Sequence, residues 1–129
     1  MLAVFVTGDT TAATQVLKQV GTVAYNAATG ARMWARVVNV PSISDSIAAS
    51  PDGSTVYVLN SADSPSGGTA YATEAYAAAN GAIRGTARYQ GPVTGSFTLP
   101  ADLAVSPDGA RVYVTGDTGN YGTTIGYNS

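Results

Sequence analysis

An all-β fold of repeated four-stranded antiparallel units, the blades of a β-propeller, is what this sequence predicts, and three observations predict it. First, Ser50-Pro51-Asp52-Gly53-Ser54-Thr55-Val56-Tyr57-Val58 returns as Ser106-Pro107-Asp108-Gly109-Ala110-Arg111-Val112-Tyr113-Val114. In both copies a short apolar run enters a Pro-Asp-Gly turn and leaves as an apolar-aromatic run, which is how a β-hairpin is written. Second, Tyr25, Tyr76 and Tyr127 follow one another at a constant spacing of 51 residues, a period in the range of solenoids and propellers. Third, each period presents the same succession: a small-residue strand, a Val-Tyr-Val strand, an Ala-Tyr strand and a return strand. Four antiparallel strands repeated at this interval describe propeller blades, with the small-residue strand nearest the central axis, where the taper leaves least room. A β-sandwich is the alternative, but sandwiches do not require such close internal repetition.

Taken in order, Val4-Phe5-Val6-Thr7-Gly8-Asp9 matches Val112-Tyr113-Val114-Thr115-Gly116-Asp117, and Val56-Tyr57-Val58 more loosely. Apolar runs without polar alternation predict strands covered on both faces, as when one sheet lies between two others. Residues 10–20 are the least regular: Val16, Leu17 and Val20 suit one side of a short helix, and a loop on a longer hairpin fits equally well. Thr22-Val23-Ala24-Tyr25-Asn26 then turns through Ala27, Ala28, Thr29 and Gly30 into residues 32–38. Its counterpart is Thr73-Glu74-Ala75-Tyr76-Ala77, the Asn80-Gly81 turn and residues 83–89, and a third copy opens at Thr124-Ile125-Gly126-Tyr127-Asn128. Residues 39–44 and 91–100 read as connectors, each followed by a small-residue strand, Ile47-Ala48-Ala49 or Leu103-Ala104-Val105. One segment, 1–129, thus carries blade parts at about 1–43, 44–99 and 100–129.

Counting strands gives the second, third and fourth of one blade, four of the next, and the first three of another. That is about two and a half blades, where closed propellers have about four to eight. The two ends duplicate rather than complement each other, so the expected ring is incomplete. Open edges are expected beside residues 4–6 and 124–128, with two uncovered faces rich in Val and Tyr. Such edges invite association with other blades or self-association. The expectation is a truncated piece of a longer propeller, or a protomer that needs partners.

Composition narrows the chemistry. Six basic residues against eight acidic ones in 129 give a net charge of −2, so no basic stripe is available for nucleic acid. No membrane insertion is expected either. Cysteine and histidine are both absent, which excludes disulfides, thiol chemistry, cysteine-ligated zinc and Ser-His-Asp or Cys-His catalysis within this chain. Residues 1–6 are too short for the apolar core of a signal peptide, so no export signal is visible.

The segment Ala24-Tyr25-Asn26-Ala27-Ala28-Thr29-Gly30-Ala31-Arg32-Met33-Trp34 resembles the tryptophan-docking motif of propellers built like the quinoprotein (PQQ) dehydrogenases. The resemblance implies that Ala24, Asn26, Thr29 and Gly30 form the turn that positions Trp34 between neighbouring blades. Ser-Pro-Asp-Gly-x-x-Val-Tyr-Val-Thr-Gly-Asp is similar to bacterial PQQ-like and YVTN-type repeats, which implies an extracellular or cell-surface location. In the second copy Asn26, Thr29 and Trp34 are replaced by Ala77, Asn80 and Gly85, so the second blade is expected to be tied less firmly to its neighbour.

Few residues invite a chemical role. Pro51, Asp52 and Gly53, and Pro107, Asp108 and Gly109, are explained by turn geometry: Pro presets φ, Asp bonds the backbone, and Gly takes positive φ. Asp45 and Asp102 precede equivalent inner strands and are candidates to line a central channel. Asp9 and Asp117 lie at strand ends, and Asp117-Thr118-Gly119-Asn120 lacks the acidic spacing of a calcium loop. Glu74, the only glutamate, has no evident partner in sequence. Arg32, Arg36, Arg84 and Arg88 alternate on outer strands as solvated edge residues. The recurring tyrosines Tyr25, Tyr57, Tyr76, Tyr113 and Tyr127 suit packing between blades.

The expected function is therefore a non-catalytic repeat scaffold, with loops or a channel mouth that bind a protein or carbohydrate. No cofactor, PQQ or NAD is expected, nor a stoichiometric transition metal; oxygen ligands alone favour calcium or magnesium. The alternative is a segment of a PQQ-dependent or lactonase-like propeller enzyme. Against it, the chain has no adjacent cysteine pair, and no acidic base beside a metal-binding carboxylate can be picked out.

Overall fold

Ten strands and no helix make up the described residues of the computed structural model, which are 2–11, 18–38, 41–91 and 95–129. They form three antiparallel sheets. The first contains β1 (Ala3–Thr11), β2 (Lys18–Asn26) and β3 (Arg32–Val37) in the order β1-β2-β3. The second contains β4 (Ser42–Ala49), β5 (Thr55–Asp63), β6 (Thr69–Ala77) and β7 (Ile83–Tyr89) in sequence order. The third contains β8 (Thr98–Val105), β9 (Arg111–Thr118) and β10 (Gly122–Asn128). The fold is all-β, and each sheet is a meander of sequence neighbours.

Repetition extends to irregularities. β2 and β3 slip register between Ala24 and Tyr25, and β6 and β7 slip between Ala75 and Tyr76. β4 and β5 slip between Ser44 and Ser46, and β8 and β9 between Pro100 and Asp102. A bulge bends its strand and raises local twist, so bulges at matching places give the sheets matching shapes. The same end of each sheet is closed by a recurring backbone bond: Ala27 N–H to Leu2 O at 3.1 Å, Ala78 N–H to Ser54 O at 2.9 Å, and Ser129 N–H to Ala110 O at 3.1 Å.

Two cores result, one on each face of the second sheet. Because side chains alternate along a strand, Val56 and Val58 of β5 face the first sheet, packing with Val20, Ala24, Trp34 and Tyr76. Tyr57 and Leu59 face the other way, onto Leu103, Val112 and Val114. Each fully buried Val or Leu contributes about 1.5–3 kcal/mol relative to exposure. β5 is thus the doubly covered strand expected of an unalternated apolar run.

β1 and β9 share that pattern but are covered on one face only. Val4 and Val6 are about half exposed, and Tyr113 is 41% exposed. The open face of the first sheet is apolar, with Val4, Val6 and Tyr25, whereas that of the third carries Tyr113 among Ala104, Thr115 and Thr124. The expectation of two Val- and Tyr-rich faces therefore holds for the first sheet and not for the third. What the strand pattern lacked was the outer neighbour.

Two further expectations are corrected. The connectors are shorter than expected, since β4 begins at Ser42 and β8 at Thr98. Polar Ser and Thr pair in these strands because one side of each bulge remains in register. Of the irregular segment 10–20, Thr10 and Thr11 pair with Gln19 and Lys18 as a longer hairpin, which excludes a helix at those positions. Residues 12–17, with Val16 and Leu17, lie outside the described residues.

Candidate functional site

The most built-up position of the molecule is the junction between the first two sheets, and it starts from a turn. In residues 26–31 Asn26 Oδ1 accepts from the N–H groups of Ala28 at 2.9 Å and Thr29 at 3.1 Å, and Thr29 Oγ1 accepts from Ala31 N–H at 3.3 Å. Gly30 takes φ +70° and bonds back to Asn26 O. This turn returns the chain at Trp34, directly opposite Ala24. The indole is 7% exposed, lies between the rings of Phe5 (5.9 Å) and Tyr76 (6.1 Å), and donates from Nε1 to Ala78 O at 2.8 Å. One side chain therefore joins two sheets.

The receiving surface is Gly81, whose φ is +69°. A Cβ there would lie 2.7 Å from indole carbons, so the ring rests against bare backbone. Arg36 adds a second crossing bond, Nε–H to Gly81 O. Arg36 is exposed, as expected of an edge residue, whereas Gly81 was not read from the sequence as a platform. Arg84, also exposed, donates to Thr55 Oγ1 at 2.6 Å.

The two Pro-Asp-Gly turns match bond for bond. Gly53 N–H reaches Ser50 O at 2.9 Å and Gly109 N–H reaches Ser106 O at 2.8 Å, with φ of +71° and +73°. Asp52 accepts from Ser50 Oγ–H and Ser54 N–H, and Asp108 from Ser106 Oγ–H and Ala110 N–H. These donors hold the Asp52 carboxyl down at about 2 and lower that of Asp108. Pro51 and Pro107 occupy the first central position of each turn.

Asp45 and Asp102 are not equivalent. Asp45 is the unpaired residue of the β4 bulge, whose counterpart in β8 is Ala101, while Asp102 stands where β4 has Ser46. Ser46 Oγ–H donates to Asp102 at 2.7 Å, and Ser44 Oγ–H donates to Asp9 at 3.4 Å. β4 thus hands one hydroxyl to each neighbouring sheet. The side chain of Asp45 is exposed overall, yet protein crowding its carboxyl raises its pKa to about 6; a backbone bond from Ser61 opposes this and the charge of Asp9 adds to it.

A pH dependence follows. The folded protein holds the Asp45 proton more tightly than an unfolded chain with an ordinary value near 3.8. The stabilising contribution of that proton is complete below about 3.8 and is lost as pH rises through about 6. Urea-unfolding midpoints measured across this window should show Asp45→Asn gaining on the parent as pH rises. Equal midpoint differences at both ends would contradict it.

Glu74 does have partners. Asn60 Nδ2 donates to its Oε2 at 2.9 Å and Tyr76 Oη–H at 3.1 Å, and burial raises the carboxyl despite both bonds. Asn60 is fully buried at the end of the Val56–Leu59 run. The signal was available: with Val58 opposite Glu74, Asn60 is its diagonal cross-strand neighbour. Among the tyrosines, Tyr57, Tyr76 and Tyr127 pack between sheets, whereas Tyr25 and Tyr113 face outward.

The residues at strand ends serve the backbone. Asp117 pairs with Gly122, and Thr118 N–H bonds to Tyr121 O at 2.9 Å, closing the 118–121 turn. Among the described residues no three His, Cys, Asp or Glu side chains are grouped to hold a metal, and no helix is long and apolar enough to cross a membrane. Compared with family models, curated proteins and solved structures, the chain has no significant match.

Proposed function

We propose that this chain is a non-catalytic β-propeller repeat scaffold, of the kind the PQQ-like and YVTN-type resemblance implies, that presents stacked blades to other blades or to a protein or carbohydrate ligand. The observation carrying this reading is Trp34, whose indole leaves the first sheet and is held by the β6–β7 turn of the second, on Ala78 O and Gly81. A side chain used to lock repeats in register supports a scaffold. The carboxylates support it too: Asp52 and Asp108 close turns, Asp102 takes a hydroxyl from the neighbouring sheet, and Glu74 holds Asn60 and Tyr76.

The contact surface in this reading is the open face of the first sheet, where Val4, Val6 and Tyr25 stand exposed beside the unpaired edge of β1. Apolar faces and free edges of this kind drive sheet association. Light scattering should therefore find the purified chain in assemblies at high concentration. The double substitution Val4→Lys and Val6→Lys, on exposed positions, should shift it to monomer without lowering its melting temperature. A parent protein that stays a stable monomer at high concentration overturns the reading.

A further inference from the structure

The second and third sheets are joined without a tryptophan, and the place it would occupy is open. A cavity of about 310 Å³ lies there, lined by Tyr57, Thr73, Gly85, Ala87, Val112 and Tyr127, with Arg84 at its wall. The internal repeat explains it position by position. Gly85 and Ala87 pair within β6 and β7 as Trp34 and Arg36 pair within β2 and β3, so the two large side chains that fill the first junction are missing from the second. Three walls of the first site recur: Tyr57 stands for Phe5, Val112 for Val56 and Tyr127 for Tyr76.

Thr73 Oγ1 and Tyr127 Oη, on two residues of the lining, are buried without a hydrogen-bond partner. Arg84 uses one nitrogen on Thr55 and Ser54, and a guanidinium has five N–H donors, which leaves donors for an anion. Asp52 is the acidic neighbour of that guanidinium, but its carboxylate is already bound by Ser50 and Ser54.

We propose that this cavity binds a small planar aromatic carboxylate of indole size, its ring between Tyr57 and Tyr127 over Gly85 and its carboxylate on Arg84. The volume is at the lower end of small-molecule sites, which run from about 300 Å³ upward. The ligand replaces in space what Trp34 supplies to the first junction. The inference goes beyond the scaffold reading, because it depends on the two junctions being homologous and not on how the sheets assemble.

The test uses indole-3-acetate as probe, with tryptamine as the same ring bearing a cation. Indole-3-acetate should raise the melting temperature saturably, as any ligand selective for the folded state does, and should shift the resonances of Thr73, Gly85 and Tyr127. Tryptamine should bind more weakly. Gly85→Trp should fill the site with the protein's own indole and abolish the shifts; nothing lies within 4 Å of a Cβ at Gly85, and its φ is not positive. Should that variant fold poorly, Ala87→Leu narrows the same space and should also abolish binding. Absence of saturable shifts, equal binding of tryptamine, or undiminished binding in both variants overturns the proposal.

Discussion

Replacing Trp34 by alanine is expected to destabilise the protein by about 3–5 kcal/mol, the range for truncating a buried large aromatic residue. The first junction has little means of closing over the gap. Phe5 and Tyr76 flank the ring from different sheets, and Gly81 beneath it has no side chain to move in. The Ala78 carbonyl also loses its indole donor. Against a total stability of about 5–15 kcal/mol for a small domain, this loss is a large fraction. Urea unfolding followed by circular dichroism measures it, and a cost below about 1 kcal/mol would show that the junction does not hold the sheets together.

Gly81→Ala should cost about 2–5 kcal/mol, from two separable sources. An L-residue at φ +69° is strained by about 1–2 kcal/mol. A methyl group 2.7 Å from the indole adds overpacking of about 1–3 kcal/mol. Only the first survives when the indole is gone, so in a Trp34→Ala background the same substitution should cost about 1–2 kcal/mol. The double-mutant cycle isolates the contact. An equal cost in both backgrounds would mean that backbone strain alone makes Gly81 necessary.

The strand succession was legible because turn chemistry and repetition act locally. Ser50-Pro51-Asp52-Gly53 specifies its turn through atoms within five residues, and its second copy removes ambiguity. The recurrence of Tyr25, Tyr76 and Tyr127 on equivalent strands was legible as periodicity. What was not legible depended on neighbours distant in sequence. Val4-Phe5-Val6 and Val56-Tyr57-Val58 read alike, yet only the second has a sheet on each side. Arg36 is exposed as an edge residue should be, but its bond to Gly81 O was not legible, because that acceptor lies 45 residues away. The non-equivalence of Asp45 and Asp102, by contrast, was legible, since Asp45 lies seven residues before Asp52 and Asp102 six before Asp108.

The two unequal junctions have a kinetic meaning. Every strand pairs with its neighbour in sequence, so each sheet forms from short loops, and the three behave as a linear array in which a unit couples only to the next. The two junctions are held by different means, a buried ring at one and the Thr69–Thr98 hydrogen bonds with the core of Tyr57, Leu103 and Val112 at the other. Each coupling sets how far neighbouring sheets open together, so hydrogen exchange resolved by sheet measures the two separately.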